Sequence, residues 1–422
     1  MRHLLTVACT VAVVLAPPAA RAQGTFVVRD VRLFDGDRVA EHRSVVVRDG
    51  VIAEVGASDL GVPAGARVVD GRGRTLLPGF IDAHVHLSDS TEADLRQALL
   101  LGVTTVLDMW NGGARMERIR TLRAADAPDL AGVRTAAIGA TAPGGHPTQM
   151  GGGSFPTITD SANALAFVDA RLAAGSDYLK IIYDDLSSLG RKQPMLDKRT
   201  LAGLVAAAHA RGKLAVVHVL SEWQARDAIA AGADGLAHLF TGTTVSPDFA
   251  SLAARHRVFV VPTLTVLYGG CGRSIAAKVA SDTLLRPYIR PSMRARAAMT
   301  FPARAGASCA GTDEAIRQLA RSGVPLLAGT DAPSPGATYG ASVHGELELL
   351  VGAGLTPLQA LGAATSAAAR AFRLDDRGRV AKGLRADLVL VEGDPTRDVV
   401  ATRRIVEVWK RGVAMRRVTY PE

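Results

Sequence analysis

Several things are scarce in this chain. It carries 3 Cys in 422 residues, too few for a miniprotein built on disulfides. Charged residues make up 21% and hydrophobic ones 48%, which excludes a chain that stays disordered. Its 43 Gly follow no triplet period, so a collagen-like fibre is excluded. No G-x-G-x-x-G string joins a strand to a helix, and no Walker-type loop occurs, which removes the common nucleotide cradles. After residue 22 no segment reaches about 18 uninterrupted apolar residues, the length a membrane-spanning helix needs. Lysine is the rarest charged type, with seven of the 49 basic residues and 42 Arg as the rest. Each lysine is therefore informative.

The first 22 residues read as a secretory signal peptide. Arg2 and His3 precede an apolar run over 4–16, Pro17 and Pro18 break it, and Ala20-Arg21-Ala22 is an A-x-A cleavage site. Cleavage after Ala22 predicts a mature chain exported to a bacterial periplasm, with no membrane segment left. Losing Arg2 and Arg21 lowers the formal charge from +9 to +7. The densest basic groups, 286–296 and 403–417, do not interleave with aromatics. They read as solvated faces, and no nucleic-acid partner is expected.

The length fits two or three ordinary domains, or one large α/β barrel with an appendage. Short strands separated by turns such as Asp49-Gly50 fill 25–77 and return over 378–418. They predict one small β-sandwich domain built from both termini, 23–78 and 376–422. Between them, 79–375 alternates apolar strands with Ala-rich helices. Strands are expected at 79–86, 103–108, 133–139, 177–183, 214–220, 235–239, 258–264 and 325–330. Eight alternations point to a distorted (β/α)8 TIM barrel. Two connections, 140–156 and 265–311, are long and leave strand C-terminal ends, where barrel enzymes build sites.

Polar residues fall on these strands where apolar ones are expected. His84 and His86, in Asp82-Ala83-His84-Val85-His86, are two apart on the first strand and share a face. Two imidazoles there suit a divalent metal. Lys180 sits inside the apolar fourth strand, where an ammonium is costly. It could snorkel, act as a Schiff-base nucleophile, or capture carbon dioxide as a carbamate that bridges two metals. His218, His238 and Asp331 end the fifth, sixth and eighth strands. Singly each has an ordinary structural reading, but their convergence on one end of the barrel predicts a metal site.

These residues resemble the amidohydrolase superfamily of metal-dependent hydrolases. The likeness extends over nearly the whole mature chain, including Gly378–Gly383 and Ala386-Asp387-Leu388. It is nearest the imidazolonepropionase-like and prolidase-like subset, with its zinc dipeptidases, carboxypeptidases and ochratoxin-type amide hydrolases. The resemblance implies two divalent ions, expected to be zinc. His84, His86 and Asp331 would hold one, His218 and His238 the other, with carboxylated Lys180 between them. It implies a small-molecule amide or peptide-like substrate attacked by a metal-activated water, with Asp331 as general base and then acid. It also implies a homo-oligomer. His146, Tyr183 and His344 are candidate substrate contacts. Opening of a cyclic amide or lactone, phosphotriester hydrolysis, a lyase using Lys180, and a non-catalytic barrel are the competing functions. Cys271 and Cys309 remain after processing, and in an oxidising compartment an even pair is expected to form a disulfide.

Overall fold

A computed structural model describes residues 24–151, 154–304 and 306–421. The expected signal peptide lies outside the described residues. The chain opens with five strands: β1 Phe26–Phe34, β2 Val39–Arg48, β3 Val51–Ala57, β4 Arg67–Asp70 and β5 Arg74–Pro78. Valine and phenylalanine dominate β1 and suit a pleated, half-buried surface. Asp49 and Gly50 have φ of 50° and 80°, so they close the β2–β3 hairpin as a type I′ turn.

Seven parallel strands follow: β6 Phe80–Val85, β7 Val103–Asp108, β8 Gly132–Thr135, β9 Leu179–Ile182, β10 Ala215–His218, β11 Gly235–Ala237 and β12 Phe259–Val261. They form two sheets, β6-β7-β8 and β12-β11-β10-β9. Single parallel bridges join the sheets, Ala140 to Ile181 on one side and Val260 to Leu326 and Val85 to Ala332 on the other. No continuous ladder runs all the way round. The segment expected as an eighth strand, 325–330, pairs only through such bridges. Its backbone turns left-handed at Asp331, with φ of 59°, which ends extended geometry there. The arrangement is mixed α/β of the TIM-barrel type.

Helices cover the strands. In Lys198–Ala210, Asp197 caps the start by accepting from the Thr200 amide at 2.6 Å, and Gly212, with φ of 66°, follows its end. Ile81, Ala83, Leu107, Tyr178, Val216 and Val261 belong to one buried apolar cluster. It fills the space beneath the polar strand ends.

The chain then returns as β13 Leu388–Glu392, β14 Ile405–Lys410 and β15 Val413–Ala414. These join the first five strands in one eight-stranded sheet, in the order β15-β14-β13-β5-β1-β2-β3, with β4 on β1. Phe26 and Trp409 stack at 5.1 Å although β13 and β5 lie between their strands. Adjacent strands are about 4.8 Å apart, so the sheet curls over its own core.

The basic groups expected as solvated faces are partly internal. Arg403 is 3% exposed, pairing with Asp282 and Glu348, and Arg290 is bound by Asp94. Acidic partners distant in sequence bring them inside. Among the described residues, no helix is long and apolar enough to cross a membrane.

Candidate metal centre

Alternation gives His84 and His86 a common face, and an irregularity turns that face inward. Ile81 and Ala83 join the internal apolar cluster, so simple alternation would turn Val85 the same way. The β6–β7 register shifts between Asp82 and Val85. That shift changes the phase, and the two imidazoles converge instead. Their Nε2 atoms lie 3.3 Å apart, and both face Asp331 Oδ1, at 3.3 Å from His84 and 3.0 Å from His86.

Asp331 is brought there by a close strand crossing. Its amide donates to the His84 carbonyl at 2.7 Å. Two residues earlier, a Cβ on Gly329 would lie 2.4 Å from Val261 Cγ1 and 2.9 Å from His84 Cβ. Only glycine lets the chain pass. His238 is also left-handed, with φ of 70°. Such backbone costs of order 1–3 kcal/mol and gathers at functional sites.

His238 has a fixed tautomer. The Thr263 hydroxyl donates to the Pro262 carbonyl at 2.8 Å, so its oxygen accepts from His238 Nδ1 at 2.7 Å. The lone pair is then on Nε2. The ring centroid of His238 is 4.6 Å from those of both His84 and His218. Ligand atoms of His84, His238 and Asp331 all lie within 4.8 Å of one another.

Lys180 is 1% exposed, and its Nζ has no hydrogen-bond partner. Burial pushes the amine down to about 7, against Asp331 and Asp108, which favour its charged form. Burial also depresses His84, His218 and His238, which favours neutral imidazoles. Burial alone would raise the Asp331 carboxyl, but the His86 hydrogen bond and the surrounding bases outweigh it and hold it well below its usual range.

The other sequence candidates divide. His146 stacks toward His218 with centroids 5.0 Å apart, and burial lowers it to about 3. Tyr183 points to the helix layer, where its hydroxyl donates to Asp227 at 3.0 Å. His344 lies away from the cluster, in the helix Ala341–Gly352. Its Nδ1 meets Thr402 Oγ1 at 2.9 Å and its Nε2 meets the Leu101 carbonyl at 3.0 Å, which occupies both ring nitrogens. Cys271 and Cys309 form a disulfide with Cα atoms 6.0 Å apart.

Asp184 escaped the sequence reading. It is buried, 3.4 Å from His218 Nε2, and accepts from Gln224 Nε2 at 2.9 Å. Its parity with Lys180 was the available signal. Buried Asp82 was likewise missed; it accepts from the His84 amide and from Thr330.

A model of the amidohydrolase family matches residues 75–415. The chain belongs to the amidohydrolase family. This amidohydrolase is 27% identical over 413 residues to the imidazolonepropionase of Deinococcus radiodurans, covering 89% of this chain and 93% of that protein. It is 29% identical over 398 residues to the adenine deaminase of Methylobacterium sp. (strain 4-46), covering 90% of this chain but 57% of the deaminase. Among solved structures, a Xaa-Pro dipeptidase with bound methionine superposes with a TM-score of 0.74 at 22% identity, covering 93% of this chain and 99% of that one. A. niger ochratoxinase gives 0.70 at 19% identity, covering 93% and 95%. These structural likenesses carry the fold. The family match and the imidazolonepropionase relative support a hydrolase acting on carbon–nitrogen bonds.

Proposed function

We propose that this chain is an exported, metal-dependent amidohydrolase that cleaves an amide bond in a peptide-like substrate, a dipeptide or an N-acyl amino acid. The observation that carries the reading is the Lys180 amine, buried, without a hydrogen-bond partner, and held down to about 7. A neutral amine is the form that adds carbon dioxide, and the resulting carbamate offers two oxygens. The donor set fits a pair of divalent ions: neutral imidazoles, a free lone pair on His238 Nε2, and an ionised Asp331. His84, His86 and Asp331 would hold one ion and His218 and His238 the other, with carboxylated Lys180 between them. Zinc suits this mixture of nitrogen and oxygen. Bound there, such ions supply Lewis acidity and lower the pKa of a water.

The chain's own residues do the rest. Asp331 remains ionised near neutrality, so it can take a proton on a carboxylate oxygen and return it to the leaving nitrogen. His146, neutral and beside His218, can donate an N–H to a substrate carboxylate or a developing oxyanion.

The architecture in this proposal is a distorted (β/α)8 barrel over 79–375, closed through the single bridges. A composite β-sandwich from 23–78 and 376–422 adjoins it. The Phe26–Trp409 stack supports the curled sheet. Export with cleavage after Ala22 and assembly as a homo-oligomer complete it. N-terminal sequencing of periplasmic protein and its mass in solution check those two points.

The deciding experiment combines metal analysis with a screen of dipeptides and N-acyl amino acids. About two ions per chain and activity restored by zinc with bicarbonate are expected. Full turnover by metal-free protein, or a borohydride-trapped adduct on Lys180, would replace the hydrolase with a lyase. The near full-length likeness to an imidazolonepropionase favours a second reading, the opening of a cyclic amide by the same site. Cyclic amides and lactones in the same screen separate the two.

A further inference from the structure

A second concentration of charge lies beside the start of β8, and none of its residues belongs to the candidate metal centre. A cavity of about 240 Å³ opens there between the strand region and the returning C-terminal segment. Arg123, Arg134, Arg377, Arg385 and Lys410 line it, against two lining carboxylates, Asp126 and Asp376.

The cations share too few anions. Asp126 alone meets Lys410 at 2.9 Å, Arg411 at 3.0 Å and Arg385 at 3.4 Å. Asp177, behind the wall, holds Arg123 at 2.8 Å and reaches Arg134 only at 4.0 Å. Asp376 is divided between Arg377 at 2.8 Å and Arg385 at 3.6 Å. With Asp387 counted as well, these cations outnumber their carboxylates six to four. Arg385 Nε lies 3.3 Å from Asp387, yet neither Nε nor Nη2 makes a hydrogen bond, and both atoms are buried. Buried charged donors without acceptors are costly. Arg134 is lowered by burial, which Asp177 opposes and Arg377 and Arg123 reinforce.

Guanidinium forks match planar or tetrahedral oxyanions in geometry as well as charge. The space admits a phosphate-sized group with several waters, each filling about 30 Å³. We propose that this cavity binds a small oxyanion of about two negative charges, the chemistry shared by inorganic phosphate and short dicarboxylates. The anion would sit among the lining guanidinium groups, Arg385 included, and offset the excess of positive charge. It would also clasp residues far apart in the chain, Arg123 and Arg134 on one side and Arg377, Arg385 and Lys410 on the other. Ligand bound only by the folded state raises the melting temperature.

The test titrates the metal-loaded full chain with inorganic phosphate and, separately, succinate, by calorimetry and melting. Sodium chloride at matched ionic strength is the control. Saturable binding and a rising Tm are expected with at least one of the two, which identifies the source, and not with chloride. Arg385→Gln should weaken binding about tenfold or more. Should that variant not fold, Arg134→Gln serves, because its side chain is 37% exposed and its ion pair is long. Asp376→Asn removes a competing carboxylate and should tighten binding. Absence of saturable binding by either anion overturns the proposal. So does binding that survives both arginine changes but is lost in a His84→Ala, His86→Ala double variant, which would put the anion at the metal centre.

Discussion

Two lysines are about equally buried, each 1% exposed, and live in opposite surroundings. Lys410, beside the start of β8, donates to Asp126 at 2.9 Å and to the Ala127 carbonyl at 3.1 Å. Lys180, among the strand C-terminal ends, has no hydrogen-bond partner and is ringed by bases. Burial lowers both amines and carboxylates oppose it in both, but Lys410 holds its carboxylate, Asp126, by a hydrogen bond and Lys180 holds none. The difference separates a cation that holds two parts of the chain together from an amine kept ready for chemistry. Burial alone does not distinguish them; the accounting of hydrogen bonds does.

Variants can break or sharpen that contrast. The largest effect is expected at the metal centre, where Asp331→Asn should lower kcat by about 10²–10⁴ while bound metal persists. Near wild-type kcat with full metal would remove Asp331 from proton transfer. Next, Lys180→Met should cost more than about a hundredfold in kcat/KM, while chelator-treated protein melts no lower than the parent. Lys410→Met should do the reverse, losing about 1–3 kcal/mol of stability with turnover largely kept. Equal losses of Tm in the two variants would erase the distinction. Gly329→Ala drives a Cβ toward Val261 and His84, and should cost roughly 1–3 kcal/mol together with metal affinity.

The smallest effect at neutral pH is expected at His344. Burial lowers this imidazole from 6.5 to about 4. Its contribution is whole above pH 6.5 and is lost as pH falls toward about 4, where the unfolded chain gains the proton more readily. His344→Gln should flatten that part of the Tm–pH curve and change little above pH 7. An unchanged acid slope would show that His344 is not the group titrating.

Much of the fold was legible because its strands are apolar runs bounded by turn residues. The run expected at 79–86 is β6, Phe80–Val85, and the Asp49-Gly50 turn is the β2–β3 hairpin. What escaped depends on contacts between distant segments. The register shift at Asp82 and Val85 is set by pairing with β7, which a single strand does not display. The segment 325–330 reads as a strand by composition, yet meets its neighbours through single bridges. Strict alternation along β9 turns Tyr183 outward and Asp184 inward, a parity the sequence did contain. The helix Ala341–Gly352, which carries His344, begins at a glycine without a side-chain cap, so its start leaves little signal in the sequence. Arg403 and Lys410 were taken as surface charges because their acidic partners, Asp282 and Asp126, are 121 and 284 residues away.

The Cys271–Cys309 bond spans 38 residues of the excursion that follows β12. Glu346 fixes the start of that excursion by accepting from the amides of Leu264 and Thr265. A protease that cuts once between the two cysteines therefore leaves a single covalent molecule, both new ends still tethered beside the strand termini. On a denaturing gel such a nicked chain should run as one band without reductant and as two with it. Damage within this excursion would then pass unnoticed in an assay that never reduces the sample.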